Sequence, residues 1–155
     1  MEVSGRISAI LAQRRDQAVW SIGPEVTVFE AIELMSQKNV GALPVVDDGR
    51  LVGIISERDY TRKIILKGKS SKDTRVREIM TVQVLTVEPT SKVTECMRLI
   101  TERRVRHLPV LDGDKLVGII SIGDALKWII SAQGVAIDNL ERFITGNEPT
   151  QGLRV

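Results

Sequence analysis

Apolar residues recur at helical spacing behind Pro24, at Val28, Ala31, Ile32 and Met35, and again behind Pro89, at Val93, Cys96, Met97 and Ile100. Residues three and four apart share one face of a helix, so the spacing predicts an amphipathic helix after each proline. Thr27 and Glu30 have capping-box spacing at the start of the first helix, and Ser91 is the expected cap of the second. Each helix is followed by two short β-rich runs, 43–46 and 51–55 in the first case, separated by Asp47-Asp48-Gly49-Arg50; Asp112-Gly113-Asp114-Lys115 stands in the same place in the second. Turn residues between two such runs predict a hairpin. Helical patterning returns over 59–66 and 124–130, which makes each unit strand, helix, strand, strand, helix. Residues 4–15 and 138–144 read as flanking helices, and 145–155 as a frayed tail.

The two units are copies. Leu43-Pro44-Val45-Val46-Asp47 recurs as Leu108-Pro109-Val110-Leu111-Asp112, and Leu51-Val52-Gly53-Ile54-Ile55-Ser56 as Leu116-Val117-Gly118-Ile119-Ile120-Ser121. With a constant shift of 65 and no gap, about 19 of 47 positions from Val19 onward are identical. A period this long fits two copies folded against each other better than an open solenoid, whose repeats run to roughly 20–50 residues. The expected organisation is a first domain over 7–66, a polar linker over 67–75, a second domain over 76–131 and a C-terminal helix and tail over 132–155.

Composition narrows the function by exclusion. The 155 residues carry 22 Lys and Arg against 20 Asp and Glu, a net charge of +2, so no diffuse field points to a nucleic-acid or membrane partner and any anion must be held locally. Aromatic residues make up 3% of the chain, too few and too scattered for a base-stacking platform. The single cysteine, Cys96, and single histidine, His107, allow no intramolecular disulfide and no zinc-ligand spacing. Without a signal peptide or a long apolar run, the expected location is the cytoplasm.

Few residues invite chemistry. Gly68-Lys69-Ser70 resembles the end of a phosphate loop, but the position of the leading glycine is Lys63, and a solvated linker explains the run better. Cys96 is on the apolar face of its helix and reads as a small buried hydrophobe. No nucleophile elbow, placed general base or metal site is present, so no enzyme is expected, a nucleotide hydrolase included. The repeated Gly-Ile-Ile-Ser-x-x-Asp pattern, with Ser56 and Asp59 in one copy and Ser121 and Asp124 in the other, has two readings. Ser followed three residues later by an acid is a helix cap. Equally, a helix N-terminus offers N–H groups to a phosphate, and an aspartate in its first turn can accept hydrogen bonds from a ribose diol. In the second reading, Gly53 and Gly118 admit a close ligand, and Ala42-Leu43-Pro44 and His107-Leu108-Pro109 sandwich a purine ring.

Together with the lead-in Val76-Arg77-Glu78-Ile79-Met80-Thr81, these motifs closely resemble tandem cystathionine β-synthase (CBS) domains over about 7–130. The resemblance implies an α/β fold of the α+β kind, two βαββα units with pseudo-twofold symmetry, in a stand-alone pair with no attached catalytic domain. It implies a homodimer and a cleft ligand of the adenosyl class: AMP, ADP, ATP, NAD(H) or S-adenosylmethionine. By match, serine meets phosphate and aspartate meets ribose at Ser56, Asp59, Ser121 and Asp124, with Thr86 as a further ligand contact. Arg106 and His107 are expected to reach the phosphate held by the first copy; the first copy has Gly41 and Ala42 at their positions, and Arg58 stands where the second has Gly123. The implied function is a non-enzymatic sensor of energy or redox state acting on an unidentified protein target. The rival is a ligand-free interaction scaffold whose Ser-x-x-Asp motifs only cap helices.

Overall fold

The structure, a computed structural model, describes residues 5–14 and 19–131; the flanking helix expected over 138–144 and the tail over 145–155 lie outside them. Helix α1 (Ile7–Ala12) leads into the first unit: α2 (Val28–Lys38), β1 (Ala42–Asp47), β2 (Arg50–Ser56) and α3 (Glu57–Tyr60), which continues as a π-helical turn over Thr61–Ile65. Helix α4 (Val76–Ile79) leads into the second: α5 (Val93–Arg103), β3 (His107–Asp112), β4 (Lys115–Ser121) and α6, residues 122–131. The two units are mixed helix and strand, each with a small antiparallel sheet.

Local chemistry accounts for most boundaries. The Thr27 side chain accepts from the Glu30 N–H at 3.2 Å, as its spacing predicts. Ser91 does not cap α5: its hydroxyl accepts from the Glu88 N–H at 3.0 Å across the preceding turn, and the cap position falls on Lys92, which makes no side-chain cap bond. The hairpins have equivalent registers, Ala42 opposite Ser56 and His107 opposite Ser121, with a shift at Val45/Val46 and at Val110/Leu111. The strand expected at the head of each unit is reduced to one parallel bridge, Ile22 to Val45 and Val87 to Val110. Two residues later stands Pro24 or Pro89, which has no N–H to extend a ladder.

Each lead-in helix docks on the opposite unit. Val76 and Ile79 of α4 are buried in the first core with Val28, Met35, Leu43 and Ile55, whereas Ile7 and Ile10 of α1 are buried in the second with Val93, Leu108, Val110 and Ile120. The backbone repeats the exchange: Val76 N–H donates to Val26 O and Ile7 N–H to Ser91 O, both at 2.9 Å. These crossings explain the motif glycines. A Cβ on Gly53 would lie 2.7 Å from Met80 Sδ and 3.0 Å from Thr81 O, and one on Gly118 would lie 2.6 Å from Leu11 Cδ2. The space expected to admit a ligand is filled by the lead-in segment instead. Gly53→Ala is therefore expected to lower stability by about 1–2 kcal/mol, because a backbone oxygen has to shift as well as a side chain, and Gly118→Ala by less, because only the end of Leu11 must turn. Urea midpoints at equal slope check the order.

Candidate functional site

The segments that end β2 and begin β3 face one another across the junction of the two units. They form a cleft of about 490 Å³ lined by Ser56, Arg58 and Asp59 from the first copy and by Arg106 and His107 from the second. Its apolar lining comes from Ile54, Leu85 and Val105, and the exposed Gln83 lines it as well. Arg62, Lys63 and Arg104 line it too, so five basic residues surround two acidic ones, Glu57 and Asp59.

Ser56 and Asp59 form a complete capping box. Asp59 Oδ2 accepts from the Ser56 N–H and from Ser56 Oγ, both at 3.0 Å, and Ser56 Oγ accepts from the Asp59 N–H at 3.2 Å. The other carboxylate oxygen takes an ion pair from Lys63 Nζ at 3.0 Å, and the same ammonium donates to Ile79 O at 2.7 Å. Lys63 is thus poised between the motif helix and the lead-in segment. His107 is half-buried against Gly41. Burial lowers its pKa below the ordinary 6.5; the Asp124 and Glu57 charges oppose that shift and Arg106 adds to it.

The second copy repeats the cap at Ser121 and Asp124, with hydrogen bonds of 2.7, 2.8 and 3.1 Å. Its cleft differs. Arg14 forms an ion pair with Asp124 Oδ1 and donates to Ile119 O at 2.9 Å. Burial pushes the Asp124 carboxyl up, but its bonds with Arg14 and with the Ser121 amide and hydroxyl outweigh that and hold it below the ordinary carboxylate value. Beside it remains an apolar slot of about 230 Å³, lined by Val19, Trp20, Val40, Ala42 and Leu43 among others, with neither Ser121 nor Asp124 on its wall.

The remaining expected residues are placed elsewhere. Leu108 is fully buried in the second core, and Pro44 and Pro109 are buried and line neither cleft, so the two Leu-Pro runs do not form a sandwich; Ala42 and Leu43 reach only the second slot. Thr86 is exposed and outside both clefts. Cys96 is buried, and its thiol is pushed up to about 11 by burial first and by Glu95 second, which leaves it inert at neutral pH. Among the described residues no group of His, Cys, Asp or Glu could hold a metal ion, and no helix is long and apolar enough to cross a membrane.

Sequence reasoning missed Lys63, Arg62, Arg104 and Arg14. Lys63 had a signal, since it stands four residues after Asp59 on one helix face. Arg14 had none: 110 residues separate it from Asp124.

Comparison with known proteins agrees with this architecture. The family model for the CBS domain matches residues 15–66 and 76–131. The CBS domain-containing protein CBSX3, mitochondrial, of Arabidopsis thaliana is 44% identical over 125 residues, 77% of this chain and 61% of that protein, so the chain spans about three fifths of that relative's length. A candidate signal-transduction protein with CBS domains from Burkholderia ambifaria MC40-6 superposes with a TM-score of 0.79 at 48% identity, over 83% of this chain and 96% of that one. The CBS domain pair of protein MJ0100, solved with 5-methylthioadenosine and S-adenosyl-L-methionine, shares the fold with a TM-score of 0.71 at 24% identity, over 83% of this chain and 98% of that one. The duplicated unit, its paired hairpins and the two matched segments make this chain a member of the CBS domain family, a tandem pair of that family's regulatory module.

Proposed function

We propose that the chain is a non-enzymatic sensor that binds a phosphate-bearing adenine nucleotide in the first cleft. The observation that carries this reading is the joining of five Lys and Arg side chains and His107 to the Ser56 cap in one cleft of about 490 Å³ whose lining is apolar in part. A cleft of this size can bury a nucleotide. Ile54, Leu85 and Val105 would lie along the base, Asp59 would accept from the ribose, and Ser56, Arg58 and Arg106 would meet phosphate. Excess positive charge favours AMP, ADP, ATP or NAD(H) over S-adenosylmethionine, whose sulfonium is itself cationic. In the second copy, Ser121 and Asp124 are the matching groups. We infer that the protein acts in the cytoplasm on a protein target. Calorimetric titration of the full chain with AMP, ADP, ATP, NADH and S-adenosylmethionine tests the reading; binding of none of them favours the scaffold.

We further propose that nucleotide alters a homodimer. Ile65 and Leu66 are 56% and 73% exposed at the end of the π-helical turn, and Ile130 is 67% exposed on α6 near Leu126. Ile64 and Ile129 instead face the cores, and Trp128 packs on Gly5. Ile65 and Ile130, exposed at equivalent positions of the two copies, suit a symmetric seam. Sedimentation at tens of micromolar is expected to show a dimer; a monomer with nucleotide present would remove this part of the proposal.

A further inference from the structure

We infer that Arg14 is the specificity-determining residue of the second cleft: by occupying the Asp124 carboxylate it closes that cleft to nucleotides, so the chain takes one nucleotide, in the first cleft. The inference rests on the nucleotide reading of the first cleft. Its basis is a comparison inside the molecule. The lead-in segments correspond with a shift of 69, since Ile7 and Ile10 dock as Val76 and Ile79 do, and Leu11 covers Gly118 as Met80 covers Gly53. Carried three residues on, the same shift pairs Arg14 with Gln83, an uncharged side chain that lines the open cleft.

The backbone explains why the two positions behave differently. Behind α4 the chain runs extended, and Thr81 exchanges both backbone hydrogen bonds with Ile54, at 2.9 and 3.0 Å. Helix α1 reaches to Ala12 and ends in a turn, and Ile119 O accepts from the Arg14 guanidinium instead. A guanidinium has donors enough for both partners in one planar fork. One arm reaches Ile119 O and another reaches Asp124 Oδ1, while Asp124 Oδ2 already holds the Ser121 amide and hydroxyl. Both oxygens are committed.

Lys63 does not close the first cleft in this way. It is a single ammonium, 44% exposed, on the same helix as Asp59, and although Asp59 is itself 13% exposed and fully partnered, it still lines a cavity of about 490 Å³. Arg14 is 25% exposed where Lys63 is 44%, and the slot that the described residues form beside it, about 230 Å³, is below the roughly 300 Å³ at which ligand pockets begin. A ribose would have to displace a charged partner from Asp124 and leave Ile119 O without its donor.

The test is stoichiometry, which loss of a merely structural contact would not raise. Calorimetry on the full chain is run with AMP and with ADP. The wild type is expected to bind one nucleotide per chain. Arg14→Gln, which installs the residue the first copy carries, is expected to bind two, the added site at least tenfold tighter than any second-site binding by the wild type. The added site should vanish in Arg14→Gln/Asp124→Ala. An Arg14→Gln protein that is folded by circular dichroism and gains no site overturns the inference. So does a wild type that binds two per chain, a result that needs no variant to fold. A wild type that binds none defeats the sensor reading instead, and Arg14→Gln still decides the role of Arg14 by binding one nucleotide or none.

Discussion

Replacing Asp59 with Ala is expected to weaken adenine-nucleotide binding in the first cleft by about 1.5–3 kcal/mol, the usual worth of hydrogen bonds to a charged acceptor, or about 10- to 150-fold. The Asp59 side chain also accepts the Ser56 amide and hydroxyl and pairs with Lys63, so the same change removes a cap worth about 1 kcal/mol of stability. Asp59→Asn separates the two effects. The amide oxygen can still accept from Ser56, but the charge facing Lys63 is gone, and the NH₂ group adds a donor where the ribose needs an acceptor. Affinity lost in both variants with stability kept in Asn is the signature of a ribose contact. Unchanged affinity in both, with thermal stability lost only in Ala, would leave Asp59 a cap and nothing more.

Arg106→Ala is expected to have an effect that grows with phosphate number: small for adenosine, larger for AMP, and about 1.5–3 kcal/mol for ADP, since each phosphate adds charge that a guanidinium can engage. The loss should shrink at high salt, because Arg106 is exposed. His107 adds a pH dependence whose sign follows from its burial. Its folded pKa is below 6.5, so the unfolded chain takes up the proton first; the stability tied to neutral His107 is present above pH 6.5 and lost as pH falls through the window beneath it. A bound phosphate favours the imidazolium and raises that pKa, so affinity rises over the same window. The thermal shift given by ADP should be larger at pH 5.5 than at pH 7.5. Constant affinity ratios from adenosine to ADP in Arg106→Ala would make Arg106 a surface residue.

The chain by itself determined the repeated unit and its local elements. Helices behind Pro24 and Pro89, the paired hairpins and the Ser-x-x-Asp caps depend on spacings of two to four residues, and those spacings encode hydrogen bonding and burial directly. The capping box at Ser56 and Asp59 was legible for that reason, and so was the inert, buried Cys96. Only the tertiary structure decided how the copies join. α1 and α4 carry the same kind of apolar face, and the two cores offer the same kind of surface, so no local pattern tells either helix to dock on the opposite unit. That crossing set Met80 and Thr81 over Gly53 and Leu11 over Gly118 and packed Leu108 with Ile7 and Ile10, while the junction of the two units brought Arg106 and His107 into one cleft with Ser56. It also set Arg14 on a carboxylate 110 residues away, a pairing made by the path of the chain between two nearly identical units.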